Sequence, residues 1–140
     1  MVEVEALTSS HPPLDDEQWP APVEAVCALY RRFGYELLLV AATVESDRDL
    51  RGVVGAIGAE KHVVVRLEAN QETLRRRIIE REPDGWPELD QLVAASARLT
   101  PVIASLDGID LALSTEGQRP ETVAGRIRDA WPTLLRGNAR

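Results

Sequence analysis

Lysine is almost missing from this chain: Lys61 stands alone against fifteen arginines, so any chemistry that requires a lysine has one candidate. Cysteine is as scarce. Cys27 has no second thiol to pair with, which excludes an internal disulfide and fits a reducing, cytoplasmic setting. His11 and His62 stand apart, without a second His or Cys at ligand spacing, so no metal centre is expected. Aromatic residues are 4% of the chain, and Trp19, Trp86 and Trp131 are too scattered to form a stacking platform. No apolar run approaches the roughly 20 residues that span a bilayer. Glu3 and Glu5 stand where a secretory leader would be basic and then apolar, so neither membrane nor export is expected. A net charge of −7 opposes a general electrostatic attraction to nucleic acid. There is no G-x-S-x-G and no Ser-His-acid grouping to support hydrolase chemistry.

What is present is an alternation of strand and helix patterns across 140 residues, a length that suits a single domain spanning the chain. Residues 2–7 (VEVEAL) alternate apolar and acidic side chains and predict an edge strand. A proline-bearing loop leads to a helix carrying Val23, Val26, Cys27, Tyr30 and Phe33, with Gly34 at its C-terminal cap. Residues 36–44 (ELLLVAATV) lack alternation, which predicts a strand buried on both faces. Ser46, with Asp49 three residues on, caps the next helix, which carries Leu50, Val53, Val54 and Ile57 and ends near Gly58.

Residues 62–67 (HVVVRL) predict another strand, followed by a helix capped by Asn70 with Leu74, Ile78 and Ile79 inward and Arg75, Arg76, Arg77 and Arg81 outward. Pro83 to Pro87 breaks that helix. A helix over 88–105, kinked at Pro101, precedes a strand over 109–114. Pro120 opens a final helix with Val123, Ile127, Trp131 and Leu134 inward. The order β-α-β-α-β-α-α-β-α predicts an α/β fold of three layers, a parallel sheet with helices on both faces.

Four local patterns carry a family resemblance. They are the apolar strand ending at Thr43-Val44 before a capped helix, the run VVVRLEANQETLRRRIIERE over 63–82, the segment LDGID at 106–110 entering a strand, and RPETVA at 119–124. In these the chain resembles small-molecule kinases of the P-loop class, the group of shikimate, gluconate and chloramphenicol phosphotransferase-like enzymes. The resemblance runs from about residue 2 to 131 through short, degenerate motifs.

The resemblance implies a nucleotide-binding fold whose first strand leads into G-x-x-x-x-G-K-[ST], with backbone N–H groups and a lysine around the phosphates. Only Met1 precedes VEVEAL in this sequence, so a domain lacking that first strand and P-loop is expected. Residues 55–62 (GAIGAEKH) space Gly55 and Lys61 correctly, but Glu60 replaces the second glycine and His62 the hydroxyl residue. ATP and Mg²⁺ are therefore expected only if a P-loop is restored, and no other cofactor is implied.

The resemblance also places candidate residues. Arg77 and Arg81 lie on the helix that forms a mobile lid in such kinases, where a guanidinium fork suits phosphoryl oxygens; the alternative is a solvated helix face paired with Glu72, Glu80 and Glu82. Glu5 matches a substrate-side acid, or serves solubility at a sheet edge. Thr8, Ser9, Ser10, Thr43, Ser46 and Asn70 are strand-end residues that a parallel sheet would bring to one ligand-binding rim.

Loss of the first strand would leave a gap between residues 36–44 and 62–67, to be closed by strand rearrangement or by a second copy. The sequence thus predicts a degenerate kinase-like domain acting as a binding or assembly module, as a homodimer and with room for a small-molecule ligand. The alternatives are a fragment or misassigned form of an ATP-dependent small-molecule kinase, and a weak phosphate or nucleotide binder.

Overall fold

A computed structural model describes residues 1–15 and 17–137, the last four as backbone alone. The chain forms two compact units, Met1–Glu60 and Lys61–Arg140.

In the first unit, β1 (Val2–Glu3) pairs in parallel with β2 (Val40–Ala41), Val2 opposite Val40. The helices are α1 (Val4–Thr8), α2 (Pro20–Arg32) and α3 (Asp47–Ile57). The expected strand over 2–7 is therefore cut short and turns helical at Val4. Val2 and Val4 are buried as alternation requires, but Glu5, Ala6 and Leu7 are better helix formers than strand formers.

Helix α2 ends where Gly34 adopts φ 84°, a conformation that glycine reaches without a Cβ clash. The Gly34 N–H bonds the Arg31 carbonyl at 2.9 Å and the Tyr35 N–H bonds the Tyr30 carbonyl at 3.1 Å, closing a Schellman motif. The rings of Tyr30 and Tyr35 then meet edge to face, 5.3 Å between centroids. The core of this unit is Val4, Val23, Cys27, Val53 and Ala56, with Leu7, Trp19, Leu38, Val40, Val44 and Ile57 packed around it.

The expectation that residues 36–44 are buried on both faces is overturned. Leu38, Val40 and Val44 reach the core, while Leu37 is 67% and Leu39 64% exposed. Strand pairing is confined to Val40 and Ala41, with the Leu39 carbonyl accepting the Val2 N–H at 2.8 Å.

In the second unit, β3 (Val65–Glu68) pairs in parallel with β4 (Leu111–Ser114), Leu67 opposite Leu113. The helices are α4 (Gln71–Arg81), α5 (Leu89–Ala104) and α6 (Pro120–Gly137). The predicted parallel partnership of these two strand segments is present, and Asn70 caps α4 by accepting the Thr73 N–H at 2.8 Å.

Among the described residues of the unit, Leu113, Val123 and Thr73 are buried. Ile79, expected inward, is 40% exposed, and Thr73 takes a buried place instead. Helix α5 packs against α4 yet buries none of its side chains fully. The side chain of Leu134, expected inward on α6, lies outside the described residues.

The result is a mixed α/β architecture with two small parallel sheets, one per unit. Among the described residues β2 bonds only β1 and β3 bonds only β4, so no ladder joins the 36–44 and 62–67 segments.

Candidate functional site

The expected site residues fall into two clusters, one in each unit. In the first unit, Glu5 on α1 and Thr43 beyond β2 are brought together: the Glu5 carboxylate accepts the Thr43 backbone N–H. Burial pushes the Glu5 carboxyl upward, but hydrogen bonds from the Thr43 and Glu5 backbone N–H groups and the Thr43 hydroxyl outweigh it and hold the group below its usual range. Glu5 is thus an ionised tether between α1 and the end of β2.

The hydroxyls of Thr8, Ser10 and Ser46 are engaged locally. Thr8 donates to the Val4 carbonyl at 3.0 Å and Ser10 to the Pro12 carbonyl at 2.9 Å. Ser9 is exposed, and its backbone N–H reaches the Glu5 carbonyl at 2.9 Å. Ser46 accepts the Asp49 N–H at 3.1 Å and donates to the Asp49 carboxylate at 2.7 Å, which makes it the cap of α3.

In the second unit the ends of β3 and β4 meet the start of α4. Glu116, just past β4, accepts the Asn70 backbone N–H at 2.5 Å through one carboxylate oxygen and the Thr73 hydroxyl at 2.8 Å through the other. Those two bonds lower the Glu116 carboxyl, against a small opposing effect of burial and with help from Arg77 and Arg76.

Arg77 forks onto Thr115, donating to its hydroxyl at 2.8 Å and its carbonyl at 2.9 Å. Asn70 and Arg77 therefore converge on one turn. Arg81 does not join them; it is 69% exposed and pairs with Glu82 at 2.6 Å. Sequence reasoning missed Glu116. The available signal was an acid one residue from Gly117, in the turn after the last strand, opposite a capped helix.

The positive end of the α4 dipole is an anion position, and here the protein fills it with its own carboxylate. The segment 55–62 is likewise no phosphate cradle. Gly55 is inside α3, and Gly58 terminates that helix in the left-handed region at φ 59°. A helix C-terminus turns carbonyl oxygens outward, and these repel phosphate. Lys61 is exposed beyond it.

One larger cleft, about 540 Å³, opens within the second unit beside β3, lined by Arg66, Leu67, Asn70, Leu74, Leu99 and Ile103. Its half-buried base is Arg66, which donates to the Ile103 and Ala104 carbonyls at 3.2 and 2.8 Å and to Glu68 at 2.8 and 2.5 Å. That guanidinium ties the end of α5 to β3. Among the described residues no three His, Cys, Asp or Glu side chains group closely enough to hold a metal ion. No helix among them is long and apolar enough to cross a membrane.

Comparisons with protein-family models, curated proteins and solved structures give no match.

Proposed function

We propose that this chain is a binding and assembly module on a scaffold of the P-loop kinase kind, working as a homodimer and transferring no phosphate from ATP by itself. The observation that carries this reading is the state of β2 and β3. Each has one strand partner among the described residues, and exposed leucines lie in or beside each: Leu37 and Leu39 by β2, Leu67 in β3. Single-sided strands with apolar neighbours are surfaces that proteins cover by association.

The carboxylates support the other half of the reading. Glu116 holds the α4 N-terminus and Glu5 holds the Thr43 N–H, so two positions that would suit a phosphate already carry negative charge. Light scattering at low micromolar concentration tests the assembly: a particle of twice 15.4 kDa is expected, and a clean 15.4 kDa mass overturns it.

A further inference from the structure

The backbone of β3 shows which of its groups are free for a partner. The Val64 carbonyl accepts the Asp110 and Leu111 N–H groups at 3.0 and 3.2 Å, and the Glu68 carbonyl accepts the Thr115 N–H at 2.7 Å. Residues of even number in this stretch therefore turn their backbone groups toward β4. Successive residues alternate along a strand, so Val65 and Leu67 turn their N–H and C=O groups to the opposite edge. No strand stands on that edge among the described residues.

The charges on β3 restrict what can pair there. Arg66 and Glu68 flank Leu67, which is itself 56% exposed. An antiparallel partner of the same sequence can be centred on Arg66, Leu67 or Glu68; centres between residues oppose groups that point in different directions. Centring on Arg66 sets two arginines face to face, and centring on Glu68 sets two glutamates face to face. Centring on Leu67 instead sets Arg66 opposite Glu68 of the other strand, twice.

Like charges directly opposite are unfavourable and unlike charges favourable. The same centre makes Leu67 a hydrogen-bonded pair with itself and sets Val65 opposite Ala69, which are the residues whose groups face the open edge.

We infer that β3 pairs antiparallel with β3 of a second copy across a twofold axis at Leu67, held by main-chain bonds of Val65 and Leu67 and by two reciprocal Arg66–Glu68 contacts. This deepens the assembly reading above and rests on it. An isologous contact of this kind closes as a dimer, because residue 66 meets 68 and 68 meets 66 across the axis. Arg66 is preset for it: its guanidinium is anchored on the α5 carbonyls and is 17% exposed, while Glu68, 43% exposed, takes both bonds from Arg66 of its own strand on one carboxylate oxygen, so that pairing shares or exchanges that contact across the axis.

The experiment uses the full chain and three variants. Leu67→Cys, oxidised mildly, should link most of the protein into disulfide dimers, since hydrogen-bonded antiparallel positions lie about 5.5 Å apart between Cα atoms, within disulfide reach. Ile79→Cys, exposed on α4 of the same unit, is the control and should remain unlinked.

Glu68→Arg alone should weaken dimerisation at least tenfold in light scattering, as should Arg66→Glu alone. Mixing the two variants should restore dimers, because one strand then carries two positive and the other two negative charges in register. A wild-type dimer that survives Glu68→Arg unchanged and does not link through Leu67→Cys overturns the β3 register while leaving the assembly reading intact. A wild-type chain that gives a clean monomer mass at low micromolar concentration overturns both. The crosslink decides the matter even if Arg66→Glu fails to fold.

Discussion

Glu116 and Thr73, 43 residues apart in the chain, share a hydrogen bond of 2.8 Å in which the threonine hydroxyl donates to the carboxylate. With the Asn70 N–H on its other oxygen, Glu116 closes the start of α4 from outside the helix. The side chain of Asn70 closes it from inside, by accepting the Thr73 N–H.

Acid should therefore loosen the fold in a way Glu116 controls. Its carboxyl and that of Glu5 both lie below the usual range in the folded chain. Each contributes stability that is complete above the unfolded glutamate pKa, about 4.3, and is lost as pH falls through the lower folded value. Glu116→Gln should lower the urea midpoint at pH 7 yet lose less on acidification than the parent does. Equal losses in both proteins between pH 7 and pH 3 would contradict this.

Two glycines of α3 should respond oppositely to the same substitution. A Cβ at Gly55 meets nothing within 4 Å, so Gly55→Ala should raise stability by about 0.5–1 kcal/mol through helix propensity. A Cβ at Gly52 would lie 2.8 Å from the Trp19 ring. Overpacking of this kind costs about 1–3 kcal/mol, so Gly52→Ala should fall at or below the parent. Trp19 fluorescence, read with Trp86 and Trp131 replaced by Phe, should shift in Gly52→Ala and stay fixed in Gly55→Ala.

Cys27 should be inert while the protein is folded. Its side chain is fully buried, and burial raises the thiol pKa against a smaller lowering effect of Arg31. Reaction with a thiol-specific disulfide reagent at pH 7 should run at least about 100-fold slower than in denaturant, the ratio following the rarity of opening. Cys27→Ser should cost about 1–3 kcal/mol for an added hydroxyl in an apolar place. Immediate labelling of native protein would show the packing around α2 to be wrong.

Calorimetry with Mg-ATP should give no dissociation constant in the micromolar range, and no phosphoryl transfer should accompany it. Lys61→Ala should change neither result, because Lys61 follows the carbonyl end of α3. A micromolar constant lost on that substitution would restore residues 55–62 as a phosphate site.

Much of the local structure was legible because its causes are local. Ser46 and Asn70 cap helices through bonds to residues three positions on, and Gly34 and Gly58 end helices through their own φ angles. Those signals lie within a few residues of the events they govern, and so sequence alone determined the helices α2 to α6 and their alternation with strand segments, though not α1.

The strands were less legible, because a ladder depends on a distant partner. VEVEAL has the alternation of a strand, but only Val2 and Glu3 have residues opposite them on β2. ELLLV reads as buried on both faces, yet burial depends on what stands on each side, and Leu37 and Leu39 have no cover. The site was partial for the same reason. Glu5, Thr43 and Asn70 could be picked out as polar groups near strand ends and Arg77 as a base on the helix that follows β3, whereas their partners could not. Tertiary structure alone decided that Glu5 tethers Thr43 and that Glu116 lies at the start of α4, since both contacts cross more than 35 residues and arise only when the chain closes on itself.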